Sequence, residues 1–311
     1  MIDIKLIREN PELVKQNIKK KGQTEKLILI DKTVKLDENW RVVKFELDNL
    51  RKDRNIVSEK INQAKKNKDE KKAKEFIQKA KKIPEEIAKL EEKEKKLIEE
   101  IKQIMMQIPN MIHESVPIGK DSSENVELKK IGEPKVPNYE IINHAELAEK
   151  FMGVDFDSAR ETSGTGFYYL TGNLAVLHSA MLAFARDYMI KQGFEYVIPP
   201  FMIRRKVVEG VMSFKEMDSM MYKIEGEDLY LIGTSEHSLI GRYIDKNISG
   251  RNLPLCLTSY SPCFRKEVGA HGMEQKGFYR LHQFEKQEMI VICEPEDSYK
   301  WYDKMLKYTV E

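Results

Sequence analysis

Cysteine, long apolar runs and net charge are all scarce in this sequence. The three cysteines among 311 residues, Cys256, Cys263 and Cys293, are odd in number and form no CxxC pair. That argues against a disulfide framework and against a structural zinc site, and no metal ligands are expected among the residues present. The thiols read instead as reduced, small apolar groups on or near strands. No apolar run approaches the roughly 20 residues of a membrane-spanning helix. Met1 to Gly22 is charged and amphipathic, without the apolar core of a secretory signal. The expectation is a soluble, cytoplasmic chain with no membrane partner. Charge nearly cancels, 53 Lys and Arg against 51 Asp and Glu giving +2, too little to imply nucleic acid by itself.

Helical periodicity dominates the first third. Apolar residues step alternately by four and three through Leu36, Trp40, Val43, Leu47, Leu50, Val57, Ile61 and Ala64, with Arg54 breaking the seam. A second series runs Ala73, Phe76, Ala80, Ile83, Ile87, Leu90, Leu97, Ile101, Ile104 and Ile108, broken at Glu94. The polar interval Lys65 to Lys72, centred on Asn67-Lys68-Asp69, is too short to join anything but antiparallel neighbours. A long helical hairpin follows, in which Arg54 and Glu94 lie at different heights and do not pair. Pro84, lacking an amide donor, is expected to kink the second helix or mark a restart. Arg51 to Lys82 holds thirteen basic against five acidic residues, whereas Ile83 to Gln107 holds five against seven. The distal half of the hairpin is therefore basic. A lysine run on a helix is usually a solvated face, and a phosphate-binding face is the sharper alternative.

Pro109, Pro117, Gly119, Gly132, Pro134 and Pro137 interrupt the helical period and mark a domain boundary. The expected organisation is a helical arm over 1–108, a linker over 109–138 and a mixed α+β domain over 139–311. In that domain Leu174 to Lys191 reads as an amphipathic helix through Leu177, Met181, Phe184, Ala185 and Tyr188. It leads by way of Gly193-Phe194 into a short strand ended by Pro199-Pro200. Leu229 to Ile232 reads as a strand delivering Gly233-Thr234-Ser235-Glu236, where a hydroxyl and a carboxylate suit an ammonium group; a helix cap is the plainer reading of that string.

The densest chemistry lies in Phe264-Arg265-Lys266-Glu267-Val268-Gly269 and in the run from Tyr279-Arg280-Leu281-His282 to Phe284 and Glu288. Two strands joined by a turn holding Gly269, Gly272 and Gly277 set Arg265 and Arg280 on neighbouring strands. Paired guanidiniums hold phosphate oxygens in bidentate fashion and stabilise charge growing at a phosphoryl centre. Phe284, alternating with His282 and Lys286, offers a flat ring to a purine, and Glu288 lies further along for an ammonium group.

These runs resemble motif 2 of the class II aminoacyl-tRNA synthetases, and their wording is most similar to the seryl-tRNA synthetase family. Gly193 to Pro200 resembles motif 1 and Gly233 to Glu236 the serine-binding loop of that family. The linker strings Ile108 to Asn110 and His113 to Pro117 also match, so the resemblance covers essentially the whole chain. It implies an antiparallel helical arm that grips the variable arm of tRNASer, a class II antiparallel-sheet catalytic domain, and a homodimer formed through motif 1. It implies that L-serine and ATP combine to seryl-adenylate before transfer to tRNASer. Carried over residue by residue, it implies that Arg265 contacts the α-phosphate and Arg280 the phosphates. Glu267 then lies at the adenine side, Phe284 on the adenine face, and Lys266 and Leu281 alongside the nucleotide. Thr234, Ser235, Glu236 and Glu288 hold serine. No Gly-rich stretch ending in Arg and no acidic strand follows Glu288 to serve as motif 3, so the expectation is an ATP site incomplete at its C-terminal end, with the Mg2+ ligands in a missing part. A catalytically inactive, tRNA-binding or dimerising fragment is the alternative that this departure raises.

Overall fold

A computed structural model describes residues 2–267 and 279–311, and for Phe214, Lys215 and Asp218 the backbone alone. The chain divides into two compact units, Met1–Gly132 and Glu133–Glu311.

The first unit is helical. Asp3 caps α1 (Ile4–Glu9), and Asn10 caps α2 (Pro11–Lys20), whose first position is a proline with no amide to satisfy. α3 (Leu27–Lys66) and α4 (Glu70–Met105) form the hairpin. Their turn falls on Asn67-Lys68-Asp69, with Lys68 in the left-handed region at φ 55° and the Asp69 carboxylate accepting from Lys72 N at 3.1 Å. At the base, Ile7, Val14, Ile18, Ile30, Ile101, Ile104 and Met105 make one core. Asp37, 2% exposed, is held there by Arg8 at 2.7 Å and Arg41 at 3.0 Å. Further out the heptad residues Val43, Leu47, Ile83 and Ile87 fill the seam between the helices. Cross-helix ion pairs among the described residues include Lys32 with Glu100 (3.0 Å), Arg51 with Glu91 (2.9 Å) and Lys44 with Glu94 (3.7 Å); Arg54 is exposed. Pro84 does not restart the helix. α4 runs through it, because one lost amide bond is outweighed by a seam that buries Ile83 and Ile87 on either side.

The second unit begins after an irregular, mostly exposed segment. Its first elements are α5 (His144–Lys150), β1 (Val154–Asp155), α6 (Phe156–Ser163) and β2 (Tyr169–Leu170), with β1 and β2 antiparallel. Next come α7 (Gly172–Lys191) and β3 (Glu195–Tyr196), the latter shorter than the apolar run suggested. β4 (Met202–Ile203), α8 (Arg205–Val211), α9 (Phe214–Met220), β5 (Tyr230–Leu231) and α10 (Ser235–Gly241) follow, β4 pairing antiparallel with β5. The long ladder is β6 (Leu255–Phe264) against β7 (Gln283–Ile292), antiparallel from Leu255↔Ile292 to Phe264↔Gln283; β3 joins β6 in parallel. α11 (Ser298–Val310) ends the chain.

Alternation along β7 gives the sheet two chemically distinct faces. Glu285 points to one of them, where its carboxylate meets His178 of α7 and the Tyr260 hydroxyl of β6. Phe284, Lys286 and Glu288 point to the other. The apolar row of α7 is not a core row in the single chain: Val176, Leu177, Met181 and Phe184 are all more than half exposed. No helix among the described residues is long and apolar enough to cross a membrane.

Candidate active site

Three chain segments converge on the Phe284 face. β5 runs through Ile232 into Gly233 and the start of α10. β6 is tied beside it by Phe264 N donating to Ile232 O at 2.9 Å. β7 supplies Phe284, Lys286 and Glu288, which share one face through their i, i+2 spacing.

Arg265 lies at the junction. Its amide donates to His282 O (2.9 Å), its Nε to Gly233 O (3.2 Å), and its guanidinium carbon lies 5.1 Å from the centre of the Phe284 ring. The expectation that Arg265 and Arg280 sit within neighbouring strands is corrected: the paired region stops at Phe264 and Gln283, so both flank it. The chain leaves the sheet because Lys266 N turns to Met220 O (2.9 Å) and Glu267 takes a left-handed φ of 44°. Arg280 is half exposed and meets Glu267 at 3.2 Å, so the second arginine lies beside the first turn after Arg265 rather than across the ladder from it. Leu281 is buried. The expected turn glycines Gly269, Gly272 and Gly277 lie outside the described residues.

The second half of the cluster is a hydroxyl with a carboxylate. Thr234 caps α10, its Oγ1 donating to Glu288 Oε2 at 2.6 Å and accepting from Glu236 N at 3.4 Å. Lys286 Nζ lies 2.5 Å from the same Glu288 oxygen. Glu236 is exposed. Ser235 is placed differently from the other residues of its string. It is wholly buried in the first turn of α10, with a hydroxyl that has no partner among the described residues.

Two histidines complete the surroundings. His237, 6% exposed, has its pKa lowered to about 4, first by burial and then by the cations Arg265 and Lys286, with Glu288 opposing. It is therefore neutral at neutral pH. A Cβ built on Gly233 would stand 3.6 Å from Arg265 Cγ and 3.6 Å from His237 Cε1, so arginine and imidazole border one small space that a glycine leaves open. His282 Nδ1 lies 3.0 Å from Arg265 O and 3.0 Å from the Tyr222 hydroxyl. The sequence pattern had assigned His237 no role. Its signal was there: three residues beyond Thr234 on a helix, it falls on the same side as the cap. Nothing in the pattern pointed to Tyr222. The arrangement as a whole offers a fixed guanidinium and an ammonium group to an anion, and two carboxylates to a small cation, within one cluster.

Known proteins resemble this chain in both of its units. Residues 1–112 match the model of the seryl-tRNA synthetase N-terminal domain, and residues 220–311 that of the tRNA synthetase class II core domain (G, H, P, S and T). A serine--tRNA ligase of Methanoculleus marisnigri is 40% identical over 306 residues, covering 98% of this chain and 72% of that protein. One of Thermococcus sibiricus is 42% identical over 331 aligned positions, covering 100% and 72%. Among solved structures, the seryl-tRNA synthetase of Pyrococcus horikoshii complexed with ATP superposes with a TM-score of 0.85 at 38% identity, covering 99% of this chain and 73% of that one. The cytoplasmic serine-tRNA ligase of Naegleria fowleri in complex with AMP gives 0.80 at 29% identity, covering 99% and 71%.

Proposed function

The chain belongs to the seryl-tRNA synthetase family, built on the class II aminoacyl-tRNA synthetase core, and from that premise we propose how its own residues carry the reaction. The activity is that of a serine--tRNA ligase. The serine carboxylate attacks the α-phosphorus of ATP, pyrophosphate leaves, and the seryl group passes from the adenylate to the terminal ribose of tRNASer. No side-chain nucleophile is required, since positioning and charge neutralisation lower the barrier.

The observation that carries the assignment is Arg265, held at its backbone, its Nε and its ring contact beside the Thr234–Glu288 pair. A guanidinium fixed in this way neutralises charge on the α-phosphate as the carboxylate attacks. Arg280, with Glu267 as its partner, takes the outer phosphates, while Lys266 and Leu281 flank the nucleotide and Phe284 faces the adenine. Glu236, Glu288 and Thr234 receive the serine ammonium group. Ser235, whose buried hydroxyl has no partner among the described residues, belongs to the same serine-binding loop. Among the described residues no three His, Cys, Asp or Glu side chains gather to hold a metal ion. Mg2+ bound to ATP takes most of its coordination from phosphate oxygens and water, so one or two carboxylates would serve to hold it.

The basic distal half of the hairpin supplies sequence-independent affinity for the tRNASer backbone. The exposed row Val176, Leu177, Met181 and Phe184 on α7 is a face for a second copy of the chain, making the homodimer. The proposed working compartment is the cytoplasm, where tRNA is charged. The reading of an inactive fragment is not favoured, because the relatives aligned along the entire chain are serine--tRNA ligases.

The test is pyrophosphate exchange into ATP with each of the twenty amino acids, followed by charging of tRNASer. Exchange that depends on serine, with charging of tRNASer alone, is expected; exchange driven equally by another amino acid, or none at all, refutes the reading.

A further inference from the structure

We propose that His282 is a positioning residue for Arg265, holding the arginine through its backbone without touching substrate. The inference rests on the assignment of Arg265 to the α-phosphate.

Arg265 lies one residue beyond β6, where the ladder no longer fixes it. Its following peptide unit is nonetheless bonded at both ends. The Arg265 carbonyl lies 3.0 Å from His282 Nδ1, and the Lys266 amide donates to Met220 O at 2.9 Å. The Arg265 amide donates to the carbonyl of that same His282 at 2.9 Å. One residue thus holds Arg265 from both sides.

A carbonyl oxygen only accepts, so this contact bonds through the tautomer in which Nδ1 carries the hydrogen, with the Tyr222 oxygen as a second acceptor at the same nitrogen. The residue is itself seated by two segments. The Tyr222 hydroxyl lies 3.0 Å from Nδ1, the Phe167 ring centre lies 5.4 Å away, and the His282 amide donates to Gly166 O at 2.9 Å. Gly166 sits at φ 88°, and a Cβ there would come within 2.5 Å of His282 Cδ2. Only a glycine leaves the ring its place. The order of dependence runs from Gly166 and Tyr222 to the imidazole, from the imidazole to the 265–266 peptide, and from that peptide to a guanidinium whose Nε is already committed to Gly233 O.

The experiment exploits the two imidazole nitrogens. Asparagine places an amide nitrogen near the position of Nδ1, and glutamine one near Nε2. H282Q, which cannot reach the Arg265 carbonyl, is expected to lower kcat/KM for ATP by about 100-fold, the scale of a small misplacement of a reacting group. The loss should fall mainly on kcat, with KM for serine changed less. H282N should recover most of it. G166A, which displaces the ring, should reproduce the H282Q pattern and serves in its place should H282Q not fold.

Equal loss in H282N and H282Q overturns the proposal, as does H282Q or G166A activity within about threefold of wild type at matched folded fraction. The wild-type control separates this from the underlying reading. If unmodified protein shows no serine-dependent exchange, the functional assignment fails; if it does and the two histidine variants behave alike, only the positioning role fails.

Discussion

Replacing Arg265 by alanine removes one nitrogen that already serves the protein and two with no hydrogen bond to the described residues. Nε is bonded to Gly233 O and the guanidinium lies over Phe284, so phosphate contacts fall to the terminal nitrogens. Two charge-assisted bonds at roughly 1.5–3 kcal/mol each amount to about 3–6 kcal/mol, which at 1.36 kcal/mol per decade is a loss of about 10² to 10⁴ in kcat/KM. The structural cost is smaller. One neutral-acceptor bond and one part-exposed ring contact contribute about 1–2 kcal/mol, a shift of a few degrees in melting temperature for a unit of this size. R265K keeps the charge but loses the planar fork, so an intermediate loss of about 10- to 100-fold is expected, roughly one of the two bonds. Serine-dependent pyrophosphate exchange measured beside a circular-dichroism melt separates the two effects. R265A within tenfold of wild type, at an unchanged melting temperature, refutes the placement of Arg265 on the reacting phosphate.

T234V keeps shape but deletes the bond to Glu288 and the cap of α10, costing about 1–3 kcal/mol of stability, and should raise KM for serine more than KM for ATP; the reverse ratio would remove Thr234 from the serine side. His237 has a folded pKa of about 4 against an ordinary 6.5, so it binds a proton more readily when unfolded. Its contribution to stability is complete above pH 6.5 and is lost as pH falls toward 4, about 1.5 kcal/mol of it between pH 6.5 and 5. In urea titrations H237Q should show a correspondingly shallower decline over that window, and identical slopes would contradict it. Deleting Asn49 to Ile87 should abolish tRNASer binding in a filter assay while leaving pyrophosphate exchange intact; retained affinity would make the hairpin structural only.

The hairpin was legible because its signal is local and repeated. Leu47, Ile83 and Ile87 announce their burial by seven-residue spacing, and Asn67-Lys68-Asp69 can be little else than a turn. The helix runs on through Pro84 because proline's cost is local, while the seam that overrides it belongs to both helices. Strand limits were misjudged for a related reason. Whether Arg265 lies within β6 or beyond it depends on where Met220 draws off the Lys266 amide, a contact from 46 residues earlier in the chain that no alternation pattern encodes.

The same distinction separates Thr234 from Ser235. Adjacent in sequence and alike in chemistry, both hydroxyls looked equally suited to a substrate loop. Thr234, however, is the extended cap at φ −171°, and its Oγ1 reaches Glu288, whereas Ser235 opens the helix and its hydroxyl is buried with no partner among the described residues. His237 then returns toward the site and is buried by β6 and β7, which press Arg265 and Lys286 near it and keep it uncharged. A helix that begins inside a cationic site can place a histidine there without adding a third positive charge only by burying it. That burial is a property of the assembled sheet, and it turns a residue with no visible motif into part of the electrostatic setting of Arg265.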